Sequence, residues 1–203
     1  MTDPRPPVEG LLLAAGAGRR LGRPKALLEL ERAPAVVTQV RRLRTAGCAG
    51  VVVVLGAAVD QVRPMLDGVP GVRAVVAEDW EEGMGASLRA GLSTLLDDGP
   101  GPVAALVTLV DLPDVASPVL HRVLDEWTAR GARRDDLVRA TYDGRPGHPV
   151  LLGHEHWEPL VASVAGDAGA RDYLSERKVH EVSCEDLATG RDVDRPGDLE
   201  ALR

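Results

Sequence analysis

The chain contains no phenylalanine, two tyrosines, three tryptophans and two cysteines. With so few aromatic rings, the core must be filled by Val, Leu and Ala. The cysteines, Cys48 and Cys184, lie far apart and match no zinc spacing, so they read as buried, reduced thiols. No segment approaches the roughly 18 uninterrupted apolar residues that a membrane span needs. The opening residues MTDPRPPVEG hold no apolar run suited to a signal peptide, so a cytoplasmic protein is expected. An excess of positive charge is also lacking. The net charge of −7 argues against nucleic acid as the main partner, because binding a phosphate backbone takes a basic face. A local cluster of Arg and Lys can still hold a single phosphate group in an acidic protein.

What is present is an ordinary globular composition, 44% hydrophobic and 27% charged over 203 residues, which suits one domain spanning residues 1–203. Short apolar runs at Val8–Ala14, Val51–Leu55, Val72–Ala77 and Val103–Val110 read as strands buried on both faces of a parallel sheet. Between and after them, Ala35–Ala46, Val59–Leu66, Gly85–Leu96 and Ser117–Arg130 repeat apolar residues at helical spacing. Ser117 is expected as the N-cap of the last, with Pro118 at its first helical position. Strand and helix in alternation predict a layered α/β fold. Beyond residue 135, Leu137–Thr141 and Pro149–Leu152 are expected to pair antiparallel around a turn at Tyr142–Gly147. Ala168–Arg177, Val179–Ser183 and Pro196–Leu202 then read as helix, strand and helix.

The first strand runs directly into Ala15-Gly16-Ala17-Gly18-Arg19-Arg20-Leu21-Gly22-Arg23-Pro24-Lys25. In an open α/β sheet, a loop at this end of a strand is the usual ligand position. Gly16, Gly18 and Gly22 let the backbone turn its N–H groups toward anionic oxygens. Arg19, Arg20, Arg23 and Lys25 add positive charge, Arg as a planar fork and Lys as a point charge. The loop departs from the Walker pattern, because Lys25 follows Pro24 and precedes Ala26. It departs from the dinucleotide fingerprint too, reading G-x-G-x-x-x-G with no acidic residue closing the second strand. The competing reading is a solvated basic turn.

Asp111, at the end of the run Val103–Val110, should share the rim of the sheet with that loop. Mg²⁺ takes one or two carboxylates together with phosphate oxygens and water. Asp192-Val193-Asp194 places two further carboxylates on one side of an extended segment. The alternative is that Asp111 caps a turn and that Asp192 or Asp194 caps the last helix.

The segment LLLAAGAGRRLGRPK resembles the signature L-A-A-G-x-x-x-R-x-G-x-x-K of the nucleotidyltransferase family that includes the molybdenum cofactor cytidylyl- and guanylyltransferases. Further matches follow at Asp79–Gly91, Val110–Pro113, Gly147–Leu151, Gly166–Arg171 and Asp192–Pro196, covering nearly the whole chain. The G-H-P-V and G-D-x-G-A-R elements are similar to the cytidylyltransferase branch. Ala77 stands where relatives carry Asn, Leu112 replaces Met in D-M-P, and Arg195 replaces Thr before Pro196.

The resemblance implies a three-layer αβα Rossmann-like nucleotidyltransferase fold, mainly parallel, with a small antiparallel element on the acceptor side. It also implies Mg²⁺-dependent transfer of a nucleotidyl group from an NTP to a terminal phosphate, with pyrophosphate leaving. By the same resemblance, Leu13, Ala14 and Ala15 meet the base and ribose, and Gly16, Gly18, Arg20 and Lys25 hold the triphosphate. Asp79 and Ser87 also belong to the nucleotide site. Lys25, Arg20 and Asp111 would be catalytic, and Asp111 and Asp194 the metal ligands. The attacking phosphate is already anionic, so no general base is required.

The acceptor is expected to be a phosphorylated molybdopterin, touched by His148 and Arg171, with a molybdoenzyme as possible client. Ala15 favours CTP, because its Cβ narrows a pocket in which a second glycine would admit a purine. Ser87 and Arg89 either form an anion site at a helix start or support the helix. His148 either meets the acceptor or is an exposed turn residue, and His154 and His156 are expected at the surface. Arg171 and Asp167 either bind the acceptor or pair with each other. Alternatives are a guanylyltransferase, a transferase for another phosphorylated metabolite, and a nucleotide-binding chaperone without turnover.

Overall fold

The computed structural model describes residues 5–99, 101–164, 166, 169–195 and 197–198. Its centre is a seven-stranded sheet in the order β5-β4-β1-β6-β8-β7-β9. The strands are β1 (Val8–Leu13), β4 (Gly50–Leu55), β5 (Val72–Val76), β6 (Ala104–Leu109), β7 (Leu137–Tyr142), β8 (Arg145–Gly153) and β9 (His180–Ser183). A separate small hairpin pairs β2 (Glu29–Leu30) with β3 (Ala33–Pro34). β5, β4, β1 and β6 run parallel, β8 is antiparallel to both β6 and β7, and β9 is parallel to β7.

Period-two alternation along the strands divides the core into two layers. Leu12 and Ala14 of the first strand run, with Val51, Val53 and Leu55, face α1 (Ala35–Thr45), α2 (Val59–Leu66) and α4 (Ser117–Ala129). Leu11 and Leu13, with Val52 and Val54, face α3 (Met84–Asp97), α5 (Trp157–Ser163) and α6 (Arg171–Ser175). Helices on both faces of one sheet make the three-layer Rossmann-like arrangement, and β4, buried along its whole length, is an interior strand of it. One large ring anchors each layer. Trp127 and Trp157 are both fully buried, and their indole N–H groups donate to the carbonyls of Arg133 and Leu152 at 3.1 and 3.0 Å.

Several local expectations change. Ser117 is not an N-cap: Ala116 precedes the helix, and the Ser117 hydroxyl donates to the Arg42 carbonyl at 3.1 Å. The start of α4 packs against the backbone of α1, so the hydroxyl finds a partner there. The turn between β7 and β8 is two residues rather than six. Asp143 and Gly144 take φ of 49° and 70°, the left-handed pair that a tight hairpin turn requires. Arg145, Pro146 and Gly147 thereby join the strand. The helix expected at 168–177 is observed as Arg171–Ser175, and residue 168 lies outside the described residues. Of the helix expected at 196–202, only residues 197 and 198 are described. Among the described residues, no helix is long and apolar enough to cross a membrane.

Candidate functional site

β1 ends at Leu13, and the chain then turns across the carboxyl ends of the parallel strands. Gly18 is indispensable to that turn. Its φ is +62°, its carbonyl accepts from the N–H groups of Leu21 and Gly22 at 2.9 Å, and a Cβ there would lie 2.0 Å from the Arg23 carbonyl oxygen. The fold-back delivers Lys25, the first residue of a short 3₁₀ turn, to the end of β6. There its Nζ lies 2.6 Å from Asp111 Oδ2 and 2.5 Å from Asp194 Oδ1, with Arg20 3.5 Å from the other Asp194 oxygen.

Burial pushes the Lys25 ammonium toward neutrality, but Asp111 and then Asp194 outweigh it and hold its pKa above the usual lysine value. The Lys25 hydrogen bond in turn keeps Asp194 below the usual carboxylate range, against a smaller effect of burial. Asp192 lies beside them, and carboxylate oxygens of Asp111, Asp192 and Asp194 fall within 4.8 Å of one another. Among the described residues, neither Asp192 nor Asp194 accepts a helix-capping hydrogen bond. The carboxylate that accepts from the Asp194 and Arg195 N–H groups, at 2.9 and 2.7 Å, belongs to Asp198.

The loop after β6 is pinned from behind. α1 places Gln39 and Arg42, one turn apart, on its buried stripe. Gln39 donates to the Leu112 carbonyl at 2.7 Å, and Arg42 to those of Pro113 and Val115 at 2.8 and 3.2 Å. Glu31 at the tip of the β2–β3 hairpin also accepts from the Arg42 guanidinium at 2.7 Å, while the Val193 N–H holds the Asp111 carbonyl at 3.0 Å. Neither Gln39 nor Arg42 belongs to the sites expected above. Their sequence signal is weak, because Thr38 shares the buried side of α1 and Arg42 stands among the exposed Arg41 and Arg44.

The glycine loop, Asp111 and the start of α3 enclose a cavity of about 480 Å³. Leu13, Ala15, Gly16, Gly18, Lys25, Ser87 and Asp111 line it, as do Arg19, Trp80 and Met84. Ala14 faces the opposite layer of the core and its N–H pairs with the Val54 carbonyl at 2.9 Å. Arg20 opens on an adjoining recess with Asp194. Ser87 lies in the first turn of α3, which begins after Gly83 at φ 120°. Asp79 is not in the cavity wall, and its carboxylate is held by Arg89, which also reaches Glu82 and the Val164 carbonyl at 3.3 and 3.1 Å.

Leu13 and Met84 also wall a second cavity of about 180 Å³, which contains His148 and Arg171. His148 sits inside β8 rather than in a turn, and burial pushes its imidazole pKa down to about 4, so it is neutral. The rest of this wall is largely apolar, with Leu88, Val107 and Leu174 among its residues. The histidines expected at the surface are half-buried instead. His156 bridges the Tyr173 hydroxyl and the Asp135 carbonyl at 2.8 and 3.0 Å, and the His154 ring lies 4.6 Å from that of Trp157. Asp167 lies outside the described residues.

Comparison with known proteins places this geometry in context. The family model of the MobA-like NTP transferase domain matches residues 10–182. The protein named nicotine blue oxidoreductase from Paenarthrobacter nicotinovorans is 37% identical over 196 residues, covering 93% of each chain. The crystal structure of Rv0371c from Mycobacterium tuberculosis H37Rv superposes with a TM-score of 0.81 at 27% identity, covering 98% of each chain. A structure of the same protein in complex with manganese superposes at 0.74, with 26% identity and 97% of each chain covered.

Proposed function

Since the chain belongs to the MobA-like NTP transferase domain family, we propose that it transfers CMP from CTP to the terminal phosphate of a molybdopterin, releasing pyrophosphate. The observation that carries this reading is Lys25 held between Asp111 and Asp194 at the wall of the cavity lined by the glycine loop. Transfer between phosphates asks for positioning and charge stabilisation more than for covalent chemistry. Lys25 would neutralise charge developing on the α-phosphate, and Arg20 and the loop N–H groups would hold the β- and γ-phosphates. An oxygen of the acceptor phosphate attacks the α-phosphorus, and the bond from that phosphorus to the bridging oxygen breaks as pyrophosphate leaves. Ser87, at the first turn of α3, would extend the anion site.

The donor set suits a hard divalent cation: three clustered carboxylates, without nitrogen or sulfur ligands, of which Asp111 lines a cavity large enough to bring phosphate oxygens and Asp194 an adjoining recess. Asp111 and Asp194, with Asp192 beside them, would hold Mg²⁺, which when bound offsets phosphate charge in the transition state. The pterin ring would occupy the second cavity against neutral His148, with Arg171 toward the acceptor phosphate. Ala15, buried at the loop's first position, favours the smaller base. Two reduced cysteines accord with work in the cytoplasm, where the product would pass to a molybdoenzyme.

The test is pyrophosphate release with each NTP, with and without Mg²⁺, in the presence of molybdopterin. CTP with Mg²⁺ should give the fastest turnover, and absence of release with every NTP would overturn the reading. A second reading is favoured by the relative named nicotine blue oxidoreductase. In it, the larger cavity holds a reduced nicotinamide dinucleotide, which passes hydride to a flat aromatic acceptor in the apolar cavity. Loss of nicotinamide absorbance with nicotine blue present, and no pyrophosphate from any NTP, would favour this second reading.

A further inference from the structure

We propose that Trp80 is the wall against which the nucleotide base packs, and that Gly56 is glycine so that this indole can reach the base end of the cavity. The inference rests on the nucleotide reading above and deepens it by assigning the contact that selects for an aromatic base.

Three observations converge on this residue. Among the described residues, Trp127 and Trp157 are fully buried, each in one core layer, whereas Trp80 is half-buried and lines the large cavity. An aromatic face in a cavity with a phosphate-type loop is where a base gains stacking energy, whichever base it is.

Gly56 explains how the ring comes to be there. It follows β4 with no positive φ, so no backbone conformation demands glycine. The demand is steric. A Cβ on Gly56 would lie 2.6 Å from Trp80 Cγ and 2.8 Å from the carbonyl oxygen of Ala15. That carbonyl accepts from the Ala57 N–H at 3.0 Å, so it cannot retreat without losing a bond. The indole therefore packs against Gly56, whose other close neighbour is the Ala15 carbonyl at the start of the glycine loop.

The turn bearing Trp80 is also preorganised. Its N–H donates to the Ala77 carbonyl at 3.2 Å, and its carbonyl accepts from the Gly83 N–H at 3.1 Å. Arg89 of α3 grips Asp79 and Glu82 on either side of it. Arg89 keeps Asp79 well below the usual carboxylate range, so the clamp is charged across the neutral range. Asp79 thus acts on the nucleotide through Trp80, as a positioning residue. A ring held in advance loses little freedom when it meets a ligand.

The experiment compares two probes on the intact chain, CTP and inorganic triphosphate, which shares the phosphates but lacks a base. CTP should quench the tryptophan fluorescence, and Trp80→Phe should bind CTP within a few-fold of wild type without that quench. Trp80→Ala should weaken CTP by on the order of ten-fold to a hundred-fold, the usual cost of losing a stacking platform, and leave triphosphate unchanged. Gly56→Ala should also weaken CTP, by displacing the indole, and because its Cβ meets the Ala15 carbonyl as well, Trp80→Ala is the variant that separates base from phosphate binding. The inference is overturned if Trp80→Ala binds CTP as wild type does, or if it weakens both probes equally, which marks a structural residue. A wild-type chain that binds neither probe would instead remove the nucleotide reading itself, and this inference with it.

Discussion

The two cavities share Leu13 and Met84 yet are built on different plans. The larger lies over the parallel half of the sheet and is built mainly on one contiguous peptide, residues 13–25, completed by the Trp80 turn, the end of β6 and the start of α3. Its phosphate end is charge and free backbone. The smaller lies over the antiparallel half, is assembled from side chains of β8, α3 and α6, and is apolar apart from His148 and two arginines at its edge. One of those, Arg139, is already engaged by Glu181 at 2.6 Å. Anion binding can thus be written into a short stretch of chain, because glycines and cations act where they stand. A shaped apolar cavity needs distant segments to meet.

Three changes would break or sharpen this contrast. The largest effect is expected from Asp111→Ala, which should lower pyrophosphate release on the order of a thousand-fold or more while leaving the thermal midpoint close to wild type. Activity that survives it would move the reaction centre away from the larger cavity.

Arg42→Leu should come next, and mainly in stability. It leaves the carbonyls of Pro113 and Val115 without their donor, at about 1–3 kcal/mol for each buried group, as read by chemical denaturation. Because the same carbonyls hold the Asp111 loop, the metal concentration that half-activates the enzyme should rise as well. A stability loss without that rise would separate the scaffold from the site.

The smallest effect belongs to the second cavity. His148 is neutral in the folded chain with a pKa of about 4, against 6.5 as the ordinary value. The unfolded chain therefore binds the extra proton between these values, and stability falls as pH drops through that window. Wild type should lose more stability than His148→Gln between pH 7 and pH 5, measured by urea denaturation. Equal losses would place His148 in contact with water, and the second cavity would be wetter than its lining suggests.

The parallel strands and their helices were legible from Val- and Leu-rich runs and helical spacing, because each element is specified by residues close together in sequence. Hence Val59–Leu66 coincides with α2, and the ends of β1, β4, β5 and β6 move by a residue or so. The antiparallel half was legible in kind and not in measure. Asp143 and Gly144 close a turn much tighter than the six-residue stretch Tyr142–Gly147 suggests. Ser117 has the residue type of an N-cap, yet its hydroxyl is claimed by a carbonyl of another helix. Within the site, Lys25 and Asp111 stand out by local pattern, whereas Arg42 looks like any helix-surface arginine until the loop after β6 is laid against it.

By itself, the sequence determined the layered α/β class, the glycine- and arginine-rich loop after β1 and the carboxylate after β6, since each is a property of a short segment. Only the tertiary structure decided that Asp194, 169 residues from Lys25, completes its coordination. It alone turned Arg89 onto Asp79, put Gly56 beneath Trp80 and set His148, neutral, in the wall of the second cavity. The reason is common to all four. Charge pairing, steric contact and desolvation depend on which atoms meet across the fold, and a linear pattern records those meetings only when they are local.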